Sequence, residues 1–179
     1  MDARNAPQKY QGMILFEVLI SLVIFALGVL GIAGLLLLSN KANNSSYTKQ
    51  QAVQSVYDIF DRIRANSTAA INGNYTISNI SSSGNPKLPA QPSPSCATSI
   101  CTPAQLAAYD TWYWLTYDVT QLPRGSGSIT TAPAGTVGNT LVTITVQWDD
   151  SAAQTNLGSA NAASATNPNF VQLSIQSQL

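Results

Sequence analysis

The chain opens on an unbroken apolar run, Met13–Leu38, MILFEVLISLVIFALGVLGIAGLLLL, in which Glu17 is the one charged residue among twenty-six. Residues Val18–Leu38 carry no charge at all. At about 1.5 Å per residue they make a helix roughly 30 Å long, the thickness of a bilayer's hydrocarbon core. A run so uniform has no polar face to turn to water, so it reads as a membrane span and not as the core helix of a soluble domain. Gly28, Gly31 and Gly34 recur within it every third residue. Each lowers helix propensity by about 1 kcal/mol relative to Ala, which fits close packing against other anchors better than local unwinding. Beyond Ser39 the pattern changes. Val53, Val56, Phe60 and Ile63 return at three- and four-residue steps, while Gln50, Gln54, Asp58 and Arg62 lie off that face. This is an amphipathic helix. Neither Pro nor Gly occurs between Lys41 and Asn66, so one continuous helix of about 50 residues, roughly 80 Å, is expected. Its distal stripe needs a head domain to cover it, and its proximal half needs the helices of other chains.

From Ser67 to Pro103 the sequence is rich in Ser, Asn, Pro and Gly and has no apolar period, which predicts loop. Thr102-Pro103-Ala104-Gln105 then supplies a cap residue, a proline at the first helical position and a glutamine three after the cap. A helix should follow, with Leu106, Tyr109, Trp112, Tyr113 and Leu115 as its apolar side, ending before Pro123 in LPRGSGS. Trp112 and Trp114 are read as packing residues rather than a ligand cage. Val142, Ile144, Val146 and Trp148 alternate with Thr143, Thr145 and Gln147, and Val171, Leu173 and Ile175 repeat the alternation near the end. These are half-buried strands, with Ser128–Thr131 a third, and an antiparallel sheet formed from them would cover the Val53/Val56/Phe60/Ile63 stripe. The segment Asp150–Asn169 between the two main strands carries no usable motif. The expected fold class is α+β: a long N-terminal helix, membrane anchor plus amphipathic half, packed on a small antiparallel head.

Composition narrows the function. The 179 residues hold eight basic and eight acidic side chains, only 9% charged in all, so no basic face exists for a run of phosphates and nucleic acid is not an expected partner. There is no histidine, and Glu17 is the only glutamate. That removes most of the vocabulary of proton transfer and metal ligation. Asp110, Asp118, Asp149 and Asp150 are carboxylates without a histidine to serve a nucleophile, and Asp149 with Asp150 most simply ends a strand. No catalytic residue, cofactor site or metal site is assigned, and a membrane-tethered enzyme is kept only as a remote alternative. Cys96 and Cys101, with four residues between them, read as one disulfide in an exported chain; a zinc site would need two further ligands.

Glu17 demands a reason, because a carboxylate at the centre of a membrane span costs about 2.5–3.5 kcal/mol on insertion scales. It sits five residues past Gly12. Were the chain cut after Gly12, the new amine on Met13 would lie one helical turn from the carboxylate and could pair with it. The alternative is a side chain that merely snorkels to the interface. Ahead of the span, Arg4 and Lys9 outweigh Asp2, which keeps the N-terminus cytoplasmic and sends the remainder outward.

Gly12 followed by Met13-Ile14-Leu15-Phe16-Glu17-Val18-Leu19 resembles the class III signal of type IV prepilins and pseudopilins. The resemblance implies cleavage between Gly12 and Met13 by a dedicated prepilin peptidase, methylation of Met13, and pairing of Glu17 with the N-terminus of a neighbouring subunit during assembly. Met13 stands where phenylalanine is commonest in that family. The proline that pilins often place in the span is absent. The order Cys96, Cys101, a helix with LAAYD and Trp112 or Trp114, LPRGSGS, and a strand ending ITVQWDD is similar to the PilV-type minor pilins, also called pilus modification proteins. By that resemblance residues 1–12 are a leader, 13–38 the transmembrane and filament-core helix, 39–66 its amphipathic continuation and 67–179 a periplasmic head. The implied partners are other minor pilins, the major pilin, the prepilin peptidase, the inner-membrane assembly platform and a tip adhesin. The implied role is a subunit that primes or caps a type IV pilus, and the nearest alternative is a minor pseudopilin of a type II secretion system. A major pilin fits less well, since those close a larger disulfide loop near the C-terminus.

Overall fold

The computed structural model describes residues 11–81, 86–133, 140–151 and 169–179. The leader residues Asp2, Arg4 and Lys9, the central part of the serine- and proline-rich loop at 82–85, and most of the linker at 152–168 lie outside them. Helix α1 runs Gln11–Ala65. It is followed by α2 (Ser67–Ile71), β1 (Ile77–Ser78), α3 (Pro103–Tyr113), β2 (Ser126–Pro133), β3 (Thr140–Asp149) and β4 (Phe170–Gln178). The strands form one antiparallel sheet in the order β1-β2-β3-β4. This is the α+β architecture expected, with two additions inside the presumed loop: the single turn α2 and the two-residue strand β1. The chain divides into two compact units, Met1–Ala42 and Asn43–Leu179.

In the second unit, the head, one hydrophobic core gathers side chains from α1, α3 and the sheet. From α1 come Ala52, Val56, Ile59, Phe60 and Ile63, none more than 2% exposed. Val53 of the expected stripe is only half-buried, because the buried face is centred on Val56, Ile59 and Ile63. The sheet contributes Ile129, Val142, Ile144, Val146 and Trp148, and Val171, Leu173 and Ile175 of β4 pack partly buried against them. These positions share one face: Ile144 pairs with Ile175, Val146 with Leu173 and Trp148 with Val171. Period-two alternation thus delivers one apolar face across adjacent strands.

Helix α3 begins as its sequence specifies. The Thr102 hydroxyl accepts from the Gln105 N–H (3.3 Å), and the Gln105 side chain accepts from the Thr102 N–H (2.9 Å), a complete capping box. Its buried face corrects the sequence reading. Leu106 is exposed and Tyr109 half-buried, whereas Ala107, Asp110, Thr111, Trp112, Trp114 and Leu115 are buried. Two causes account for the shift. The helix passes into a π-helical turn, Trp114–Asp118, whose wider spacing breaks the 3.6-residue count. And Asp110 is drawn inward by polar partners far away in sequence. A 3₁₀ turn, Val119–Gln121, follows before the chain enters β2.

LPRGSGS is more than a helix stop. A side chain at Gly125 would place its Cβ 2.0 Å from the Val119 carbonyl oxygen, and one at Gly127 would meet the Trp114 ring at 2.5 Å. Both glycines let β2 approach closely behind the turn. The Trp114 indole, fully buried, donates to the Ser55 carbonyl of α1 at 3.0 Å, so the ring cannot swing aside without breaking that bond. Gly127→Ala should therefore destabilise the head by about 1–3 kcal/mol, the usual cost of overpacking a rigid core. A thermal melt unchanged within a degree would contradict this account of the motif.

Candidate assembly surface

The described residues of the first unit are helical throughout. From Leu15 to Leu38 its large apolar side chains lie open, Leu15 at 74%, Phe25 at 69% and Leu35 at 68% exposed. Among the described residues, no part of its most apolar stretch, of mean hydropathy 2.8, is buried. By length and composition the helix can cross a membrane. So much uncovered apolar surface requires lipid or other helices around it. Glu17 sits on this segment, exposed, and its backbone carbonyl accepts from the Ser21 hydroxyl at 2.7 Å. Gly12 and Met13 lie in the opening turns of α1. At Gly28, Gly31 and Gly34 an added Cβ would meet nothing within 4 Å, so no contact within this chain requires glycine there.

In the head, Cys96 and Cys101 form a disulfide (S–S 1.97 Å, Cα–Cα 5.6 Å) that closes a turn just before α3. Ile100 projects from that turn fully into solvent. Behind it a polar seam joins α1, α2's start and α3. Buried Asp110 accepts from the Tyr75 hydroxyl (2.7 Å) and from Arg62 (3.4 Å), and Arg62 also holds Asp58 (2.8 Å). The Arg62 guanidinium lies 4.7 Å over the Tyr113 ring. Asn66 donates to Tyr75 (3.2 Å) and to the Pro103 carbonyl (2.8 Å), tying the end of α1 to the start of α3. Burial, and then the Asp110 carboxylate, push the Tyr75 phenol well above its usual range. At the far end of the sheet Asp149 pairs with Arg124 (3.5 Å) and accepts from the Ser151 N–H and hydroxyl. Those hydrogen bonds hold its carboxyl below the ordinary range despite partial burial, which acts the other way.

A second acidic feature was not anticipated. Asp58 and Asp118 line one shallow cleft with Gln51, Gln54, Ser55 and Gln121. Burial, and then the charge of Asp58, push Asp118 up to about 6, and its buried Oδ2 meets no hydrogen-bond partner among the described residues. Only the fold brings Asp118 beside Asp58, so no local signal could have found the pair. The seam and cleft offer ionic pairing, not nucleophilic chemistry. Among the described residues no three histidine, cysteine, aspartate or glutamate side chains gather where a metal could sit.

Residues 35–112 match the family model described as Tt1218-like, type IV pilin Tt1218. The matched stretch is somewhat under half of the chain and runs from the end of the apolar segment into α3. No curated protein and no solved structure matches the chain. The match, joined to a long N-terminal helix followed by a four-stranded antiparallel sheet, gives an α+β pilin-like fold. It supports a pilin-type structural subunit and a non-enzymatic role.

Asp118 yields a pH prediction. Its folded pKa of about 6 exceeds the ordinary 3.8, so between those values the folded state holds the proton more tightly than the unfolded chain. Its contribution to stability is present at low pH and is lost as pH rises through that window. Asp149 acts in the opposite sense, losing stability as pH falls. Asp118→Asn, a neutral near-isostere, should raise the thermal midpoint at pH 7 by about 2–4 °C, the shift that 1 kcal/mol produces in a domain of this size. The gain should shrink toward zero at pH 4. Melts of the two proteins that run parallel from pH 4 to 7 would show that Asp118 is not strained.

Proposed function

We propose that the chain is a minor pilin, a structural subunit that primes or caps type IV pilus assembly together with other minor pilins and the major pilin. The observation that carries the reading is the signal Gly12-Met13-Ile14-Leu15-Phe16-Glu17 at the start of a helix whose apolar side chains from Leu15 to Leu38 lie open among the described residues. The family match over residues 35–112 supports a pilin-type subunit from a part of the sequence that does not include that signal. In this reading residues 1–12 are a leader that a prepilin peptidase removes after Gly12, and Met13 becomes the N-methylated first residue. Residues 13–38 hold the subunit in the inner membrane and later enter the filament core, 39–66 continue that helix, and the head beyond it faces the periplasm. The small disulfide turn at Cys96 and Cys101 suits the PilV-type subunits better than a major pilin. The assembly platform and a tip adhesin complete the set of partners.

Glu17 has a specific task here: its carboxylate neutralises the N-terminal ammonium of a neighbouring subunit once both leave water. Unpaired, that ammonium costs about 3–5 kcal/mol in a buried setting. Glu17→Ala should therefore leave cleavage and membrane insertion intact and strongly reduce surface piliation. Mass spectrometry of the mature N-terminus, from membranes with and without the peptidase, tests the processing. A chain that begins at methylated Met13 only when the peptidase is present is expected, and an N-terminus at Met1 in both cases would refute the reading. Loss of protein export rather than of pili on deletion would instead make the chain a pseudopilin.

A further inference from the structure

The two edges of the sheet are built differently. On one side β2 is closed off: β1 pairs with Ser128 and Ile129, the Asn79 N–H reaches the Gly127 carbonyl (2.9 Å), and Thr76 binds the Thr131 hydroxyl (2.9 Å). On the other side β4 pairs with β3 one residue to one from Phe170 to Gln178, without a bulge, and ends the sheet among the described residues. Its sequence, FVQLSIQSQ, has no charge and no proline. Charges, prolines and bulges are the devices by which proteins protect an exposed edge, and β4 has none of them.

The inward groups of β4 fall on odd positions. Leu179 donates its N–H to the Thr140 carbonyl (2.9 Å), and the Asn169 carbonyl accepts from Asp150 (3.0 Å). By the alternation of an antiparallel ladder, the N–H and C=O groups of Gln172, Ser174 and Gln176 therefore point away from β3. Burial also stops short at this edge. Val142, Ile144 and Val146 of β3 are fully buried, whereas their β4 neighbours on the same face, Leu173 and Ile175, and Val171 beyond them are only half-buried. Next to them Ser177 accepts from Arg64 (3.3 Å), a cation that meets the exposed Asp61 at 3.7 Å and itself remains 53% exposed.

We propose that the β4 edge receives a strand from a different protein chain: an extended segment with apolar residues at alternate positions and a carboxylate at the end that lies beside Ser177 and Arg64. The outward backbone groups of Gln172, Ser174 and Gln176, which meet no strand among the described residues, call for an extended backbone as occupant. The half-buried Val171, Leu173 and Ile175 require apolar side chains at every second position, and Arg64 favours an acid. A second copy's β4 offers no acidic residue, which sets the partner apart from self-pairing. The inference stands on the head alone and does not depend on how the N-terminus is processed.

Ser174→Pro tests it. Proline removes one outward N–H, together with the exposed Ser174–Thr145 hydroxyl contact (3.1 Å), while the inward ladder and the core face persist, and prolines are tolerated on edge strands. Full-length protein in detergent micelles is titrated with the labelled peptide Asp-Thr-Val-Thr-Val-Thr-Val, with its reversed sequence for parallel pairing, and with a control carrying proline at the central threonine. Saturable binding of one of the first two, slowed amide exchange at Gln172, Ser174 and Gln176, and about a tenfold or greater loss of affinity in Ser174→Pro at an unchanged melting temperature are expected, since one lost edge bond and a steric block exceed 1.4 kcal/mol. Equal binding by the proline control, or by Ser174→Pro, would overturn the proposal, as would no binding at millimolar peptide. A dimer in micelles that Ser174→Pro dissolves would overturn it too, by placing a second copy on the edge. Should Ser174→Pro unfold, Gln176→Lys, which adds a charge to the edge at an exposed side chain, carries the same comparison.

Discussion

The head depends on burial of one face of α1. Ala52, Val56, Ile59 and Ile63 are fully removed from water, in one core with the apolar face of the sheet and with Trp114, Leu115 and Leu122. Truncating a side chain such as Ile59 to alanine in so closed a setting costs about 2–5 kcal/mol, a large part of what a domain of this size has in reserve. Trp114 adds a direct tie, since its indole N–H satisfies the Ser55 carbonyl from the side of α3. A sheet of four strands and two short helices is thus assembled on a helix that continues well beyond it. Upstream of Asn43 the same helix belongs to the other compact unit.

That division explains the contrast in composition along α1. Where the head covers it, the helix carries a stripe and is polar elsewhere, as with Asp58, Asp61 and Arg64 on its open side. Where its side chains lie open among the described residues, from Leu15 to Leu38, the helix is apolar all round, which is stable only if lipid or like helices surround it. Glu17 is the exception that such an environment penalises. Membrane anchoring and pilus association, which the pilin-type match and the apolar helix fit, are both settings that surround such a segment.

Much of this was legible in the sequence because the signals were local and repeated. The capping box at Thr102–Gln105, the alternation through β3 and β4, and the absence of Pro or Gly in the distal half of α1 each name an element without knowledge of its neighbours. What the sequence concealed was short or non-local. Five residues of α2 and two of β1 are too few to show a period, and they lie in a stretch whose Ser, Asn and Gly content reads as loop. The buried face of α3 was misjudged because Asp110 looks like a solvent residue until Tyr75 and Arg62 arrive from elsewhere, and because a π-helical turn changes the count after Tyr113. The glycines of LPRGSGS looked like turn formers, yet their use is to make room for the Val119 carbonyl and the Trp114 ring.

The polar seam raises a question of economy that the apolar core does not. Asp110, Arg62, Tyr75 and Asn66 occupy a place where well-packed apolar residues would give equal or greater stability, since desolvating a charge offsets most of its attraction to a partner. What apolar residues would not give is direction. The core face of α1, Ala52, Val56, Ile59, Phe60 and Ile63, is made of apolar side chains whose packing carries no direction of its own. A carboxylate that must meet both a phenol and a guanidinium, and an amide that must meet both Tyr75 and the Pro103 carbonyl, allow one register only. In a head whose loops are long and whose composition is mostly small and uncharged, that restriction fixes where α3 sits. It thereby fixes the disulfide turn before α3 and the close-packed glycines after it.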